Sequence, residues 1–554
     1  MISLIRLILF LPRKYIIYSC LIILSALLLS LSEVIVLSSI KPFIQSFSTI
    51  DNRIDYENTF EYASNFLVTV IICGVLRVFL LFTQYRIAAS ISAKISSVAF
   101  QKIVNQEYIF LKSANQSKFL SILIQDVPRN SEALSNFASL VSNTIILISI
   151  SFSLLFLETK LFLIAGLFIS LVYLIIILLF AKKLKINGEY ITKYNHEQAA
   201  LVRSTLASIV DLIIGGTSEK QIKKFISNEI KSRNSYANTL IYSQSPRYIV
   251  ETVCLGLFTF FIIISISSNS SLLIFGQLGT LLFAFNRILP ASQQTYSAYA
   301  FIKSSSLSIN NLISLFSLKT KKTKKLSNYF VNKLKKESFF NKNEKNKIKI
   351  RNLKYKYKDK HEIIYDDWQF EEGQPTAILG KSGSGKTTLV ELILKLLTPS
   401  AGEIELNNLN IQNLPTRYFH KNISYLSQSP FLFSGTLYEN ILFGSNELIN
   451  KEELYENGIK LGLKDEFGNQ FLDYMISDFG RNISGGQAQR ICLLKIISSV
   501  KPILILDEPS SSLDLKTSMI FNDLLLSKTK NSIVIVITHS ELQSNLFPMR
   551  FKLK

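Results

Sequence analysis

Between an apolar run of β-forming residues, "PTAIL", and a helix-forming run, "LVELILKLL", the chain carries "GKSGSGKTT", Gly380 to Thr388. Those residue types at that spacing suit phosphate chemistry. Gly380, Gly383 and Gly385 let backbone N–H groups close around a β-phosphate. Lys386 reaches the β- and γ-phosphates, and the Thr387 hydroxyl is a Mg²⁺ ligand. Lys381, Ser382, Ser384 and Thr388 complete the cradle. A second apolar run, "PILILDEP", ends on paired carboxylates. Asp507 can hold Mg²⁺ through water, and Glu508 can orient or deprotonate a water attacking the terminal phosphate. The chemistry read from these two elements is nucleotide hydrolysis.

Both elements need a scaffold that brings the ends of their strands together. From Lys347 onward, short β-type runs ("IKIRNL", "PTAILG", "NISYLS", "PILILD", "SIVIVIT") alternate with helical stretches. Such alternation predicts an α/β unit, 347–554, with a mainly parallel sheet and "PTAILG" near "PILILD" at its centre. The first 317 residues are of another kind. Six apolar segments, near 15–45, 62–92, 133–157, 160–182, 248–267 and 272–300, are each long enough to cross a bilayer, which takes about 20 residues. Segment 46–61 is acidic, whereas 93–131 and 182–247 are rich in Lys and Arg, which assigns the latter two and both termini to the cytoplasm. Both basic segments read as helical continuations of the spans, with turns near "SANQSKFLSIL" (113–123) and "IIGGTSEKQI" (213–222). Residues 318–346, rich in Lys, Asn and Ser, read as a solvated linker.

Composition agrees with this division and excludes other classes. Of 554 residues 48% are hydrophobic, and the formal net charge is +21. The basic residues lie between apolar runs and in the linker, without the aromatic interleaving of a nucleic-acid module, so nucleic acid is not an expected partner. Cys20, Cys73, Cys254 and Cys492 are too scattered for a disulfide framework or zinc site. The first apolar run is too long for a cleaved signal peptide and reads as a retained span.

Between the two phosphate elements stands "NISGGQ", Asn482 to Gln487. It resembles the LSGGQ signature of ATP-binding cassette (ABC) transporters, with Ile483 in place of Leu. The order of motifs along the whole chain is that of an ABC exporter half-transporter. On that resemblance Tyr357 stacks on adenine, Gln428 is the Q-loop residue that joins Thr387 and Asp507 at Mg²⁺, Asp514 belongs to the D-loop, and His539 is the switch histidine. Ser484, Gly485, Gly486 and Gln487 would address the γ-phosphate of ATP held by a second subunit. The resemblance therefore implies a dimer with two ATP at its interface, with Glu508, His539 and Gln428 as catalytic groups. A homodimer is the simplest reading, and a heterodimer stays open. The residues near 114–121 and 213–221 would be coupling helices. "SDFG" stands where most exporters have a Gly-Glu pair, which bears on coupling rather than on hydrolysis.

Charges inside apolar runs speak to the cargo. Glu33, Arg77 and Arg287, with Glu251 at the start of the fifth span, interrupt spans where a charge costs about 2.5–3.5 kcal/mol on insertion scales. Such groups either pair with one another or face a cavity, and two unpaired arginines would attract an anion such as a lipid pyrophosphate. The surrounding stretches "GVLRVFL", "SPRYIVE" and "FNRILPASQQ" resemble the PglK-type lipid-linked oligosaccharide flippases. That resemblance implies a sugar–diphosphate–polyprenol cargo moved across a bacterial inner membrane. Lipid A, drug or peptide export by the same architecture is the alternative, and a membrane ATPase that transports nothing is a third.

Overall fold

A computed structural model describes residues 2–9, 12–46, 56–157, 159–267, 273–318, 339–340, 344–357, 361–444, 449–478 and 480–553. Most of the expected linker lies outside them. The chain divides into two units, Met1–Lys321 and Lys322–Lys554.

The first unit is helical. A short α1 (Ile2–Leu9) precedes α2 (Arg13–Gln45) and α3 (Tyr56–Val104). Two one-turn helices, α4 (Tyr108–Ser113) and α5 (Gln116–Ser121), lead through a π-helical turn, Ile122–Asp126, into α6 (Val127–Leu157). Then follow α7 (Thr159–Ala207), α8 (Ile209–Ile214), α9 (Ser218–Ser267), α10 (Leu273–Ser304) and α11 (Ser306–Ser317). The 49 residues of α3 and of α7 and the 50 of α9 correspond to about 73–75 Å of helix, over twice the roughly 30 Å hydrocarbon thickness. The expected turns fall at α4–α5 and at α8, where Gly215 and Gly216 break the helical path before Ser218 restarts it. Among the described residues, three stretches are apolar and long enough to span a membrane: Ile17–Ile40, Thr59–Val104 and Gln116–Ser153. Val75 and Val78 on α3 are 64% and 68% exposed, the outward apolar surface a lipid-facing helix presents.

Two clusters hold this unit together. Ala26, Leu29, Val36 and Leu37 of α2 pack with Cys73 and Leu80 of α3 and Ile150 of α6. Further along the bundle, Leu4 and Leu7 of α1 are buried with Ile95 of α3, Leu134 of α6 and Ile309 and Leu312 of α11. Helix α1 precedes the first expected span; two turns of helix are too short to be stable alone, and Leu4 and Leu7 gain their cover largely from α11, about 300 residues away.

The second unit contains two larger sheets. One is antiparallel, β2 (Glu362–Ile364), β1 (Lys347–Lys356), β5 (Ala401–Leu406) and β6 (Leu409–Asn410) in order, with β3 (Trp368–Glu371) also on β1. "IKIRNL" therefore does not belong to the parallel sheet. Much of its burial alternates, as suits a strand with one solvated face. The other sheet runs β12 (Met549–Lys552), β4 (Thr376–Leu379), β11 (Ile533–Thr538), β10 (Ile503–Asp507), β7 (Ile423–Leu426), all parallel. Every residue of β10 and β11 is buried, which is why both read as unbroken apolar runs. "PTAILG" and "PILILD" are central but not adjacent, since β11 pairs with both. A small ribbon pairs β8 (Gly435–Thr436) with β9 (Met475–Ile476).

Candidate nucleotide-hydrolysis site

Parallel strands end on the same edge of their sheet, and that edge gathers the chemistry. β4 delivers the glycine-rich loop, β7 delivers Gln428, β10 delivers Asp507 and Glu508, and β11 delivers His539. Residues separated by about 160 positions in sequence thus meet at one place.

The glycine-rich loop has backbone that few residues tolerate. Gly383 and Gly385 lie at φ +83° and +97°, where a Cβ costs energy. A side chain at Gly385 would also come within 3.1 Å of the Tyr365 hydroxyl. That hydroxyl donates to the Gly385 carbonyl at 2.9 Å, bracing the loop from behind. Burial raises its pKa and keeps the proton in place. Gly385 caps the helix Lys386–Ile393, whose free N–H groups form an anion seat. The Lys386 ammonium donates to the Gly380 carbonyl. The Ser384 hydroxyl oxygen is buried without a hydrogen-bond partner. A phosphate oxygen would satisfy both groups, so the loop fits its expected ligand. Tyr357 lies beside it, its hydroxyl 3.2 Å from Thr388 Oγ1 and its ring edge-on to Tyr355.

Glu508 sits between two partners. Gln428 Nε2 donates to Glu508 Oε2 at 3.0 Å, and His539 Nδ1 is 3.1 Å from Oε1. Its backbone is left-handed, φ +51°, a conformation that costs about 1–3 kcal/mol in a residue with a side chain and is commonest at functional sites. Asp507 is 7% exposed, and burial raises its pKa to about 6. The neighbouring Glu508 charge adds to that rise, while the Lys386 ammonium opposes it. The Asp507 carboxylate, the Thr387 hydroxyl and the Gln428 amide oxygen are oxygen donors of the kind a hard divalent cation takes.

The signature residues form the start of the helix Gly485–Ser498. Ser484 accepts from the Gln487 N–H at 3.2 Å, and the Gln487 side chain accepts from the Ser484 N–H at 2.8 Å, a complete capping box. A Cβ at Gly486 would stand 2.9 Å from the Ser512 carbonyl, so a small residue is needed there. Asp514 caps the helix Leu515–Lys528 by accepting from the Thr517 N–H at 3.2 Å, and hydrogen bonding from Thr517 lowers its pKa. In the segment preceding the signature, Asp478 also adopts positive φ, +45°.

Three residues of the site carried no motif. Tyr365 braces the loop, Gln489 binds behind Glu508, and Arg490 pairs with Glu466 at 2.6 Å and with Asp514 at 3.7 Å. Only the adjacency of Gln489 and Arg490 to the signature could have flagged them.

In the helical unit, Glu33, Arg77 and Arg287 come together. Glu33, 1% exposed, accepts from Arg77 Nε at 2.8 Å and through the Arg77 guanidinium Nη2, while Arg287 Nε lies 3.7 Å from its other oxygen. The arginines are therefore paired, and they also line a cavity of about 500 Å³ shared with Gln84, Asn143 and Ser297. Glu251 lies apart, 3.9 Å from Arg247 on its own helix.

Comparison with known proteins points to the ABC transporters. Residues 366–511 match the family model described as ABC transporter. The transport/processing ATP-binding protein ComA of Streptococcus pneumoniae serotype 4 (strain ATCC BAA-334 / TIGR4) is 34% identical over 194 residues, 34% of this chain and 27% of ComA. The ATP-dependent lipid A-core flippase of Francisella tularensis subsp. holarctica (strain OSU18) is 33% identical over 195 residues, 35% of this chain and 32% of the flippase. These two alignments span less than a third of the relatives' lengths. The beta-(1→2)glucan export ATP-binding/permease protein NdvA of Bartonella henselae (strain ATCC 49882 / DSM 28221 / CCUG 30454 / Houston 1) is 24% identical over 454 residues, 80% of this chain and 73% of NdvA. The solved structure of a bacterial Atm1-family ABC exporter with ATP bound superposes with a TM-score of 0.78 at 14% identity, covering 98% of this chain and 93% of that one. The chain thus has the fold of an ABC exporter half, a unit of long apolar helices followed by a domain that matches the ABC transporter model over residues 366–511.

Proposed function

We propose that two copies of this chain form an ATP-driven exporter that flips an anionic, sugar-bearing lipid, of the lipid-linked oligosaccharide or polysaccharide-precursor kind, across a bacterial inner membrane. The observation that carries the cargo class is the cavity around Glu33. Two guanidiniums against one carboxylate leave a net charge of +1 in a wall that combines amides and hydroxyls, such as Gln84, Asn143 and Ser297, with apolar Leu29, Leu80 and Ile150. A diphosphate answers the charge, and sugar hydroxyls answer the amides. The likeness to a glucan exporter over 80% of the chain supports a saccharide in the cargo.

In this reading Tyr357 and the loop Gly380–Thr388 bind ATP, and Ser484–Gln487 with Asp514 cover the γ-phosphate of ATP on the other copy. Thr387, Gln428 and Asp507 would hold Mg²⁺, which offsets charge on the phosphates. Glu508 takes the proton of the attacking water, while His539 and Gln428 hold its carboxylate in place. ATP binding brings the two copies together, the segments near 114–121 and 213–221 transmit that motion to the spans, and hydrolysis resets them.

A flipping assay in proteoliposomes with a fluorescent polyprenyl-diphosphate oligosaccharide tests the cargo, with a lipid A precursor run in parallel. The reading expects ATP-dependent movement of the first lipid and its loss in Arg77→Ala. A wild type that hydrolyses ATP yet moves only the lipid A precursor, or neither lipid, sinks it.

A further inference from the structure

Gln489 is a polar side chain only 2% exposed on the helix that begins with the signature. Both its amide nitrogen and its amide oxygen bond to the turn that follows β10. Nε2 donates to the Glu508 carbonyl at 2.9 Å and to Ser511 Oγ at 3.3 Å, and Oε1 accepts from the Ser512 N–H at 2.9 Å. Glu508 is the residue held in left-handed backbone. Such a conformation persists only where its surroundings over-determine it. Its N–H donates to the Ile537 carbonyl at 2.9 Å on one side, and Gln489 holds its carbonyl on the other.

We propose that Gln489 is a positioning residue for hydrolysis, fixing the Glu508 peptide so that the carboxylate lies between Gln428 and His539 and linking that placement to the signature helix. This rests on the ATPase reading of the site. An amide carries two donors and an acceptor on one planar head, and the turn engages both donors and the oxygen; a carboxylate would set an acceptor against the Glu508 carbonyl. Gln489 lies a little over one turn from Ser484, the cap of the same helix. The close approach of Gly486 to the Ser512 carbonyl gives that helix a second contact with the turn. Whatever seats or unseats the helix N-terminus on a phosphate is therefore transmitted to the turn that carries the base, with Gln489 as the link that holds the Glu508 peptide itself.

The test uses the full chain in nanodiscs and compares wild type with Gln489→Leu, Glu508→Gln and the double variant. Binding of a fluorescent trinitrophenyl ATP is measured alongside steady-state phosphate release. Gln489→Leu is expected to lower kcat by about tenfold or more, with KM and nucleotide Kd within about twofold, since a small misplacement of a reacting group is costly. In the Glu508→Gln background the same substitution should change residual turnover by less than about twofold, because its effect passes through a carboxylate no longer present. Full additivity in the double variant, wild-type kcat in Gln489→Leu, or a loss confined to KM overturns the inference. If Gln489→Leu does not fold, the equal-sized Gln489→Glu decides by the same criteria. A wild type without phosphate release removes the ATPase reading instead.

Discussion

Replacing Glu508 by glutamine separates the chemistry of this site from its architecture. The substitution keeps every heavy-atom position. The new amide oxygen can accept from Gln428 Nε2, now at 3.0 Å from the carboxylate, and the amide nitrogen can donate to His539 Nδ1, now at 3.1 Å. Both residues have a Cβ, so the left-handed backbone at φ +51° costs the same in each. What disappears is the basic oxygen. With a side chain 13% exposed, bulk water cannot readily take its place. General-base catalysis is worth about 10²–10⁴-fold, which at 1.36 kcal/mol per decade is about 3–5 kcal/mol of barrier. Glu508→Gln should therefore lower kcat for phosphate release by that factor. KM should stay within about threefold, because the glycine-rich loop binds nucleotide independently of position 508. Crosslinking between copies in the presence of ATP should show the closed pair accumulating. Phosphate release at more than a third of the wild-type kcat would remove Glu508 from the base's role and refute the reasoning.

Ser384→Ala should weaken ATP binding about three- to tenfold in a nucleotide titration, since it deletes one phosphate hydrogen bond worth about 0.5–1.5 kcal/mol. Because the Ser384 hydroxyl is buried without a partner in the free protein, the same change should not lower the melting temperature without nucleotide. The raised Asp507 pKa, about 6 against an ordinary 3.8, means that the free fold holds this proton more tightly than the unfolded chain does. Stability from that group is complete below about pH 4 and is lost as pH rises through 6. Asp507→Asn should accordingly raise the melting temperature of metal-free, nucleotide-free protein at pH 8 and lose that advantage by pH 4. In the helical unit, Gly188 of α7 meets α10 so closely that a Cβ would lie 1.7 Å from the Ser304 carbonyl. Gly188→Ala should destabilise by about 1–3 kcal/mol or more, read as a lower melting temperature in detergent.

The chemistry of this protein was legible before its shape. Gly383, Gly385, Lys386 and the Asp507–Glu508 pair are fixed by backbone and phosphate requirements that act over a few residues, so their spacing survives in the primary sequence. The apolar segments expected near 15–45, 62–92 and 133–157, which overlap the three membrane-long stretches among the described residues, and the break at Gly215–Gly216 are legible for the same reason, since bilayer thickness and helix capping are local constraints. Long-range contacts decided the rest. β11 lies between β4 and β10 because parallel strands must be joined by crossovers, and the order of such crossovers leaves no local trace. Likewise, no spacing rule could reveal that Arg77 and Arg287 share Glu33, that Gln489 reaches behind Glu508, or that α1 finds its cover on α11. Each depends on side chains brought together by the packing of helices or strands remote in sequence, and that packing exists only once the chain has folded.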